Sequence, residues 1–224
     1  MIKKIEILGI QLDNYTVQEA MRQVEVYLNN TVMNTIEDVS MEMLVLVGED
    51  ESLKECIEQL DLAIVSDKEI LKAAGVNSVQ RIKETVEHQF FKEFMKRIIR
   101  NSKTVYLFGE TAQQVAQLEE VLHQDYERLQ IVGSFSMEDC VGDFDGVVNE
   151  INIASPDVIF SVLSTPQQEY FLMENKSKMN AKIWYGLGNG YENAHGVSGL
   201  KLFFRRLLHR GMLKSMLSRY DQER

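Results

Sequence analysis

Residues 157–192 read DVIFSVLSTPQQEYFLMENKSKMNAKIWYGLGNGYE, and this segment gives the clearest indication of the fold. It holds two apolar runs, at 158–163 and 181–187, each short enough for a strand that is buried on both faces. A helical segment that starts near Gln167 separates the two runs. Two parallel strands joined by a helix form a right-handed βαβ unit. The stretch therefore predicts an α/β fold.

Polar clusters follow both runs, at residues 164–169 and 188–192. In open α/β sheets, ligands bind outside the carboxyl ends of the strands, where both clusters would lie. The helix that begins after Pro166 also offers free backbone N–H groups to a phosphate. The alternative is that Thr165 and Pro166 only start an ordinary helix. The pattern alone leaves both interpretations open.

Strands and helices alternate along the rest of the chain. Strands are predicted at residues 5–12, 31–36, 62–65, 103–108 and 129–132. This alternation favours a Rossmann-like, mostly parallel sheet with helices on both faces. Gly109 ends one of these strands and leads into a helix, which is a geometry that places a diphosphate on backbone N–H groups. It stands there as a single glycine, without the dinucleotide-binding fingerprint.

The composition indicates one large domain with a small addition. The chain has 224 residues, of which 45% are hydrophobic, and we expect a domain over 1–196 and an appendage over 197–224. Cys56 and Cys140 lie far apart and fit reduced thiols in a cytoplasmic protein. No signal peptide and no run long enough to span a bilayer are visible. The four histidines show no metal-ligand spacing, so no metal site is expected.

The net charge of −10 conceals a basic segment near the end. Residues 199–220 contain six basic side chains and no acidic one: Lys201, Arg205, Arg206, Arg210, Lys214 and Arg219. The chain outside this segment is acidic, which argues against general nucleic-acid binding. The apolar residues of this segment predict two short amphipathic helices on either side of Gly211, which give the fold a short helical C-terminal appendage. Two interpretations stay open: packing on the domain or on another subunit, and binding to an anionic membrane surface.

Several stretches resemble the WecG/TagA/CpsF family of bacterial glycosyltransferases. Its members typically carry Gly-Ser-Pro-Lys-Gln-Glu after one strand and Gly-Gly-Ala-Phe-Asp after the next, where this chain has residues 164–169 and 188–192. Residues 7–16, 61–67 and 105–109 resemble further family segments, so the resemblance covers nearly the whole chain. Departures from the family pattern include Asp38-Val39-Ser40 for Thr-x-Asn, Glu84-Thr85-Val86 for Gly-x-Asp, and Glu192 for the closing aspartate.

The resemblance implies a glycosyltransferase that needs no metal and no cofactor. It would transfer N-acetylmannosamine or a related sugar from a UDP-sugar donor to an undecaprenyl-diphosphate-linked sugar. The reaction would take place at the inner face of the cytoplasmic membrane, and its product would enter a wall or capsular polysaccharide. Assembly as a homo-oligomer is left open.

The resemblance also implies roles for individual residues. Asp67 would be the general base on a sugar hydroxyl, with a helix N-cap as the alternative role. Arg81 and the tail residues Arg205, Arg206 and Arg210 would neutralise diphosphate or lipid headgroups. For Arg81, an ordinary surface arginine is the alternative. Donor-binding positions would be Gly109, Thr165, Gln167, Gln168, Gly188, Asn189 and Glu192.

Two other functions compete with this one. After Asp67 this chain has Lys68 where the family usually has glycines. This departure and the one at Ser40 are compatible with a family member that lost catalysis and acts as a nucleotide-sugar-binding or partner subunit. A Rossmann-type oxidoreductase is a third alternative, although its glycine fingerprint and its acidic ribose-binding residue are missing.

Overall fold

The computed structural model describes residues 3–48, 50–140 and 144–187. In these ranges, six parallel strands form one sheet in the order β4-β3-β8-β7-β5-β6. The strands of this sheet are β3 (Asn34–Val39), β4 (Leu62–Val65), β5 (Thr104–Gly109), β6 (Gln130–Ser136), β7 (Val158–Ser161) and β8 (Ile183–Gly186). The predicted βαβ unit is confirmed, because β7 and β8 are parallel neighbours.

Helices cover both faces of the sheet, as predicted. On one face, α1 (Val17–Leu28), α6 (Gln89–Arg100) and α7 (Ala112–Asp125) bury apolar side chains against the strands. On the other face lie α8 (Asp145–Ala154) and α9 (Gln167–Asn175). The remaining helices are α2 (Met41–Val47), α3 (Glu51–Glu58), α4 (Lys68–Ala73) and α5 (Val79–Val86). The described part of the chain is thus an α/β, Rossmann-like domain.

The first predicted strand is instead a hairpin. Strands β1 (Lys4–Ile7) and β2 (Ile10–Asp13) pair antiparallel and form a small sheet of their own. The chain reverses at Leu8 and Gly9, whose φ angles are +52° and +74°. Two consecutive positive φ angles are typical of the tight turns that join hairpin strands. The apolar pattern over residues 5–12 continues through this turn, so the pattern conceals it.

Two other boundaries differ in ways that affect the site. Strand β3 begins and ends about three residues later than predicted, which brings Glu37 and Asp38 into the sheet. The sequence at residues 75–80 predicts a loop, but the last two of these residues belong to helix α5, which places Arg81 in the first turn of that helix. The hydroxyl of Ser78 caps this helix by accepting a hydrogen bond from the Arg81 backbone N–H.

The predicted appendage at 197–224 lies outside the described residues, so its helices remain a prediction. The length and apolarity that a bilayer-spanning helix needs are not combined in any helix of the described ranges.

Candidate functional site

The carboxyl end of β3 carries two acidic residues that point to opposite faces of the sheet. Successive side chains of a strand alternate between faces, so Glu37 and Asp38 face different layers of helices. Glu37 lies beside Gly186 of β8, and Asp38 lies beside Ile64 of β4. The end of this central strand therefore carries two separate polar clusters, which differ in their access to solvent.

Asp38 faces a partly open cleft in which the space between the atoms, open solvent included, is about 490 Å³. The cleft lies between the ends of β3, β4 and β8 and the helices α1, α5 and α6. Its polar lining includes Asp13, Tyr15, Ser66, Arg81, Glu84 and His88. It therefore occupies the edge of a parallel sheet where ligands bind in open α/β folds.

Asp38 accepts a hydrogen bond from the Tyr185 hydroxyl, with 3.0 Å between Oδ1 and Oη. Burial raises the pKa of Asp38 to about 7, although the hydrogen bond from Tyr185 acts in the opposite direction. Burial and the neighbouring Asp38 carboxylate both raise the pKa of Tyr185. The pair therefore places a carboxyl group that changes its charge near neutral pH beside the cleft.

Arg81 lies in the same cleft and is buried, with 6% of its surface exposed. Its guanidinium forms an ion pair with Glu84 at 3.1 Å, and its Nε donates to Asn14 Oδ1 at 3.3 Å. Glu84 also accepts from the Val17 backbone N–H at 3.2 Å, which connects α5 to the start of α1. Arg81 is therefore a buried cation at the cleft, not a surface arginine. Contact between Arg81 and a phosphate stays a prediction.

Asp67 follows β4 at the same sheet edge and has a clear structural contact. Its Oδ2 accepts a hydrogen bond from the Met41 backbone N–H at 2.8 Å, so it holds the first turn of α2. Asp67 stands at the N-cap position of α4, yet its side chain does not cap that helix. Ser66, one residue earlier, lines the cleft. The role of Asp67 as a base stays a prediction.

Glu37 and Gln168 meet on the opposite face, where the protein is closed. The Gln168 amide nitrogen donates to Glu37 Oε1, and the two side chains are 0% and 1% exposed. Gly186 makes room for this contact, because a Cβ at that position would lie 2.4 Å from Gln168 Nε2. Gln168 therefore contacts the strand face away from the cleft. Its predicted contact with a donor competes with this role and stays a prediction.

Glu169 completes the closed cluster. Burial raises the pKa of Glu169 and, together with the Glu169 carboxyl group, raises the pKa of Glu37 well above its usual range. The Oε2 atoms of both residues are buried without another hydrogen-bond partner. A proton held between the two carboxyl groups satisfies both atoms, since two adjacent carboxylates do not both ionise readily. This cluster fastens the start of α9 to β3.

The other predicted donor-binding residues near α9 and α7 have local contacts. Thr165 Oγ1 donates to Glu169 at 3.0 Å, whereas Gln167 is exposed. A Cβ at Gly109 would lie 2.9 Å from Val115 Cγ2, so close packing explains this glycine. The Gln114 side chain accepts from the backbone N–H groups of residues 110 and 111 near the start of α7. Donor binding by these residues stays a prediction.

The remaining predicted site residues lie outside the described ranges: Gly188, Asn189, Glu192, Arg205, Arg206 and Arg210. In residues 3–48, 50–140 and 144–187, no three His, Cys, Asp or Glu side chains are close enough together to hold a metal ion.

Glu37, Tyr185 and the carboxyl group of Asp38 are not among the functional residues that the sequence predicts. A signal was present in the segment TIEDV, which places two adjacent acids among apolar residues. Acidic side chains are rarely buried unless they are paired, so such a segment indicates partners on both faces of a strand. The predicted strand ended at Ile36, just before the two acids, and this boundary concealed the signal.

Comparisons with known proteins agree with this architecture. The model of the glycosyl transferase WecG/TagA/CpsF family matches residues 5–196. Curated relatives include N-acetylglucosaminyldiphosphoundecaprenol N-acetyl-beta-D-mannosaminyltransferases of Staphylococcus aureus strains NCTC 8325 / PS 47 and MRSA252. Each is 24% identical over 199 residues, which cover 84% of this chain and 74% of the relative. Because the family match spans most of the sequence, the chain belongs to the WecG/TagA/CpsF family of glycosyltransferases.

Proposed function

We propose that this protein transfers N-acetylmannosamine, or a closely related sugar, from a UDP-sugar to a lipid-diphosphate-linked sugar. The observation that carries the proposal is the cleft at the carboxyl edge of the parallel sheet, which combines a buried arginine with carboxyl groups. Family membership supports the transferase chemistry, and the names of the relatives support the choice of donor sugar and lipid-linked acceptor. The product would serve the synthesis of a cell-surface polysaccharide.

The reaction needs one proton acceptor and a place for the diphosphate. The acceptor hydroxyl oxygen forms a bond with the anomeric carbon of the donor, and the bond from that carbon to the UDP oxygen breaks. UDP leaves with the electron pair, and the hydroxyl proton passes to a carboxylate. Two carboxyl groups stand at adjacent strand ends for this step: Asp67, which the resemblance assigns, and Asp38, which lines the cleft. Arg81 is a buried cation beside this site, and it binds the diphosphate only when its ion pair with Glu84 opens.

A donor panel tests the proposal directly. Purified full-length protein is incubated in EDTA with UDP-N-acetylmannosamine and a synthetic lipid-diphosphate N-acetylglucosamine, and released UDP and the mass of the lipid are measured. We expect UDP release together with a lipid that is heavier by one N-acetylhexosamine. Matched reactions contain UDP-N-acetylglucosamine, UDP-glucose, or no acceptor. Absence of product with every donor contradicts the proposal.

A second candidate is a binding subunit that has lost turnover. The contact between Asp67 and the backbone of α2 favours it, because the residue that the resemblance assigns as base has a structural hydrogen bond instead. The ion pair of Arg81 with Glu84 also favours the binding subunit, since it neutralises the buried cation. Binding of UDP in calorimetry, without turnover of any donor, would select this candidate. Stabilisation by NAD(P) but not by UDP would select neither candidate.

We also propose that the basic segment 199–220 binds the anionic inner surface of the cytoplasmic membrane, where the lipid-linked acceptor is held. Each basic residue near such a surface contributes about 1 kcal/mol, and salt screens this attraction. Full-length protein should sediment with anionic liposomes and dissociate at high salt. The variant Arg205→Glu/Arg206→Glu should bind weakly. The matched control Lys92→Glu/Lys96→Glu, on the exposed side of α6, has the same charge change and should bind as the unmodified protein.

A truncation before Gly199 separates the two interpretations of this segment. Loss of liposome binding with an unchanged oligomer mass supports the membrane surface. If the full-length protein ignores anionic liposomes and the truncation changes the oligomer mass, the segment is a subunit interface.

A further inference from the structure

The two carboxyl groups at the cleft edge differ in what holds them. Asp67 is attached to the start of α2 by a hydrogen bond from the Met41 backbone N–H, whereas Asp38 is attached to a side chain, Tyr185. Both residues are partly exposed, but of the two only Asp38 lines the cleft. A base that must reach a substrate hydroxyl needs this access.

We propose that Asp38, positioned by Tyr185, is the proton acceptor of the transfer reaction, and that Asp67 organises the start of α2. The inference deepens the proposed function and depends on it. Asp38 stands where the resembled family has the threonine of its Thr-x-Asn segment, so the chain has a carboxyl group at a position where the family has a hydroxyl. Asp38 also lies beside Tyr185 of β8. In the sequence, β8 is followed by the polar residues 188–192.

The electrostatic surroundings suit the proton transfer. The groups that face Asp38 across the cleft come from the β2 end, from α5, from the start of α6 and from β8: Asp13, Tyr15, Arg81, Glu84, His88 and Tyr185. The Arg81 charge is balanced by Glu84, and Asp13 forms an ion pair with Lys4 at 2.8 Å. Burial is therefore the main influence on Asp38, and it raises the pKa of Asp38 to about 7. A base with a pKa near the working pH combines availability with proton affinity.

Tyr185 is a positioning residue in this arrangement. Its hydroxyl donates to the Asp38 carboxylate and so stabilises the charged form, which lowers the pKa of Asp38. Replacement of Tyr185 by Phe keeps the ring that packs against Phe94, at 5.1 Å between ring centroids, and removes only the hydroxyl. The pKa of Asp38 should then rise further above its present value.

The dependence of kcat on pH distinguishes the two carboxyl groups. The unmodified enzyme should lose turnover as the pH falls through about 7, because Asp38 becomes protonated. Asp38→Asn should lower kcat by about 10²–10⁴-fold and abolish this acid limb, with UDP affinity retained. Asp67→Asn should keep the limb at the same pH. Tyr185→Phe should lower kcat near neutral pH and move the limb to higher pH, and a merely structural role would not move the limb.

A second substitution at the same position protects the test against misfolding. Asp38→Thr introduces the residue type of the resembled family and removes the carboxyl group, and thermal unfolding shows whether either variant is folded. If Asp38→Thr or Asp38→Asn has the kcat of the unmodified enzyme, or keeps its acid limb, Asp38 is not the proton acceptor. Loss of the limb in Asp67→Asn alone would also overturn the inference. Absence of turnover in the unmodified enzyme would instead refute the proposed function, and the inference with it.

Discussion

Glu37 and Asp38 are adjacent in one strand, and burial raises the pKa of both, yet their surroundings differ. Glu37 is enclosed by Gln168 and Glu169 from α9. Asp38 has a hydrogen bond from Tyr185 and faces a cleft that is open to solvent. The same strand end is therefore closed on one face of the sheet and accessible on the other. Burial alone therefore does not identify a functional carboxyl group, since only the accessible one can contact a substrate.

The comparison predicts that residues on the closed face contribute to the free energy of unfolding, whereas Asp38 on the open face contributes to proton transfer. Arg81 is the exception on the open face, because it is both buried and ion-paired. Variants that break one face at a time can therefore test the division.

The largest effect is expected for Arg81→Met. Removal of one partner of a buried ion pair costs about 3–5 kcal/mol, because the remaining charge is left uncompensated. Here that charge is Glu84, which has 7% of its surface exposed. Urea denaturation gives the free energy of unfolding. The double variant Arg81→Met/Glu84→Met should recover much of the loss, since no buried charge remains. A single variant as stable as the unmodified protein would show that the pair is not closed to water.

Gly186→Ala should break the closed face and lower the free energy of unfolding by up to about 3 kcal/mol, because the new methyl group forces the Gln168 amide away from Glu37. The cost should be smaller when Gln168→Ala is already present, since the space is then empty. Gly146→Ala is the matched control in α8, where a Cβ meets nothing within 4 Å, and it should stabilise the helix by about 1 kcal/mol. Equal effects of the two glycine substitutions would contradict the packing argument.

Gln168→Ala should lower the free energy of unfolding by about 1–2 kcal/mol, because a buried hydrogen bond to Glu37 is lost. The dissociation constant for UDP should stay within about twofold, as measured by calorimetry. Gln167→Ala, at the exposed neighbouring position, is the control for stability. A tenfold loss of UDP affinity without a change in stability would instead place Gln168 in the donor site.

Titration of Glu37 should change the free energy of unfolding only gradually with pH. Its pKa in the folded protein lies above the ordinary value of 4.5, so the folded state binds more protons than the unfolded state above that pH. Its stabilising contribution is complete below pH 4.5 and is lost as the pH rises, by up to about 1.4 kcal/mol per pH unit for one proton. Glu37→Gln should flatten this dependence in denaturation curves.

Titration also provides a direct contrast between the two faces. Asp38→Asn should flatten the stability curve from about pH 3.8 to about 7, the interval between the ordinary pKa and the raised one. Glu37→Gln should leave the pH dependence of turnover unchanged, whereas Asp38→Asn should abolish it. If both variants change the pH dependence of turnover alike, the closed face is not limited to a role in stability.

The sequence predicts the layered fold well because apolar runs and helix caps are local signals. The apolar pattern predicts a strand at residues 62–65 and a helix at residues 41–47, and both elements have these limits in the structure. The site is harder to predict, because it depends on which face of the sheet each side chain meets. Gln168 follows a strand end, as a ligand-binding residue would. Its amide group, however, fills the space beside Gly186, which has no Cβ, and contacts Glu37 on the opposite face of the sheet. Arg81 lies in the first turn of α5, and the N-cap of this helix, Ser78, falls within the segment that the sequence predicts as a loop.

The hairpin of β1 and β2 has a consequence for how this protein behaves among its own copies. Strand β4 ends the six-stranded sheet, and an uncovered edge strand offers unpaired backbone groups to a strand of another molecule. Asp13 of the hairpin accepts a hydrogen bond from the Ala63 backbone N–H at 3.0 Å, and so occupies one donor of that edge. Lys4 pairs with the same carboxylate and adds a charge beside it. The hairpin thus covers part of the β4 edge, and loss of the Asp13 carboxylate would leave the Ala63 N–H free to pair with a strand of another copy.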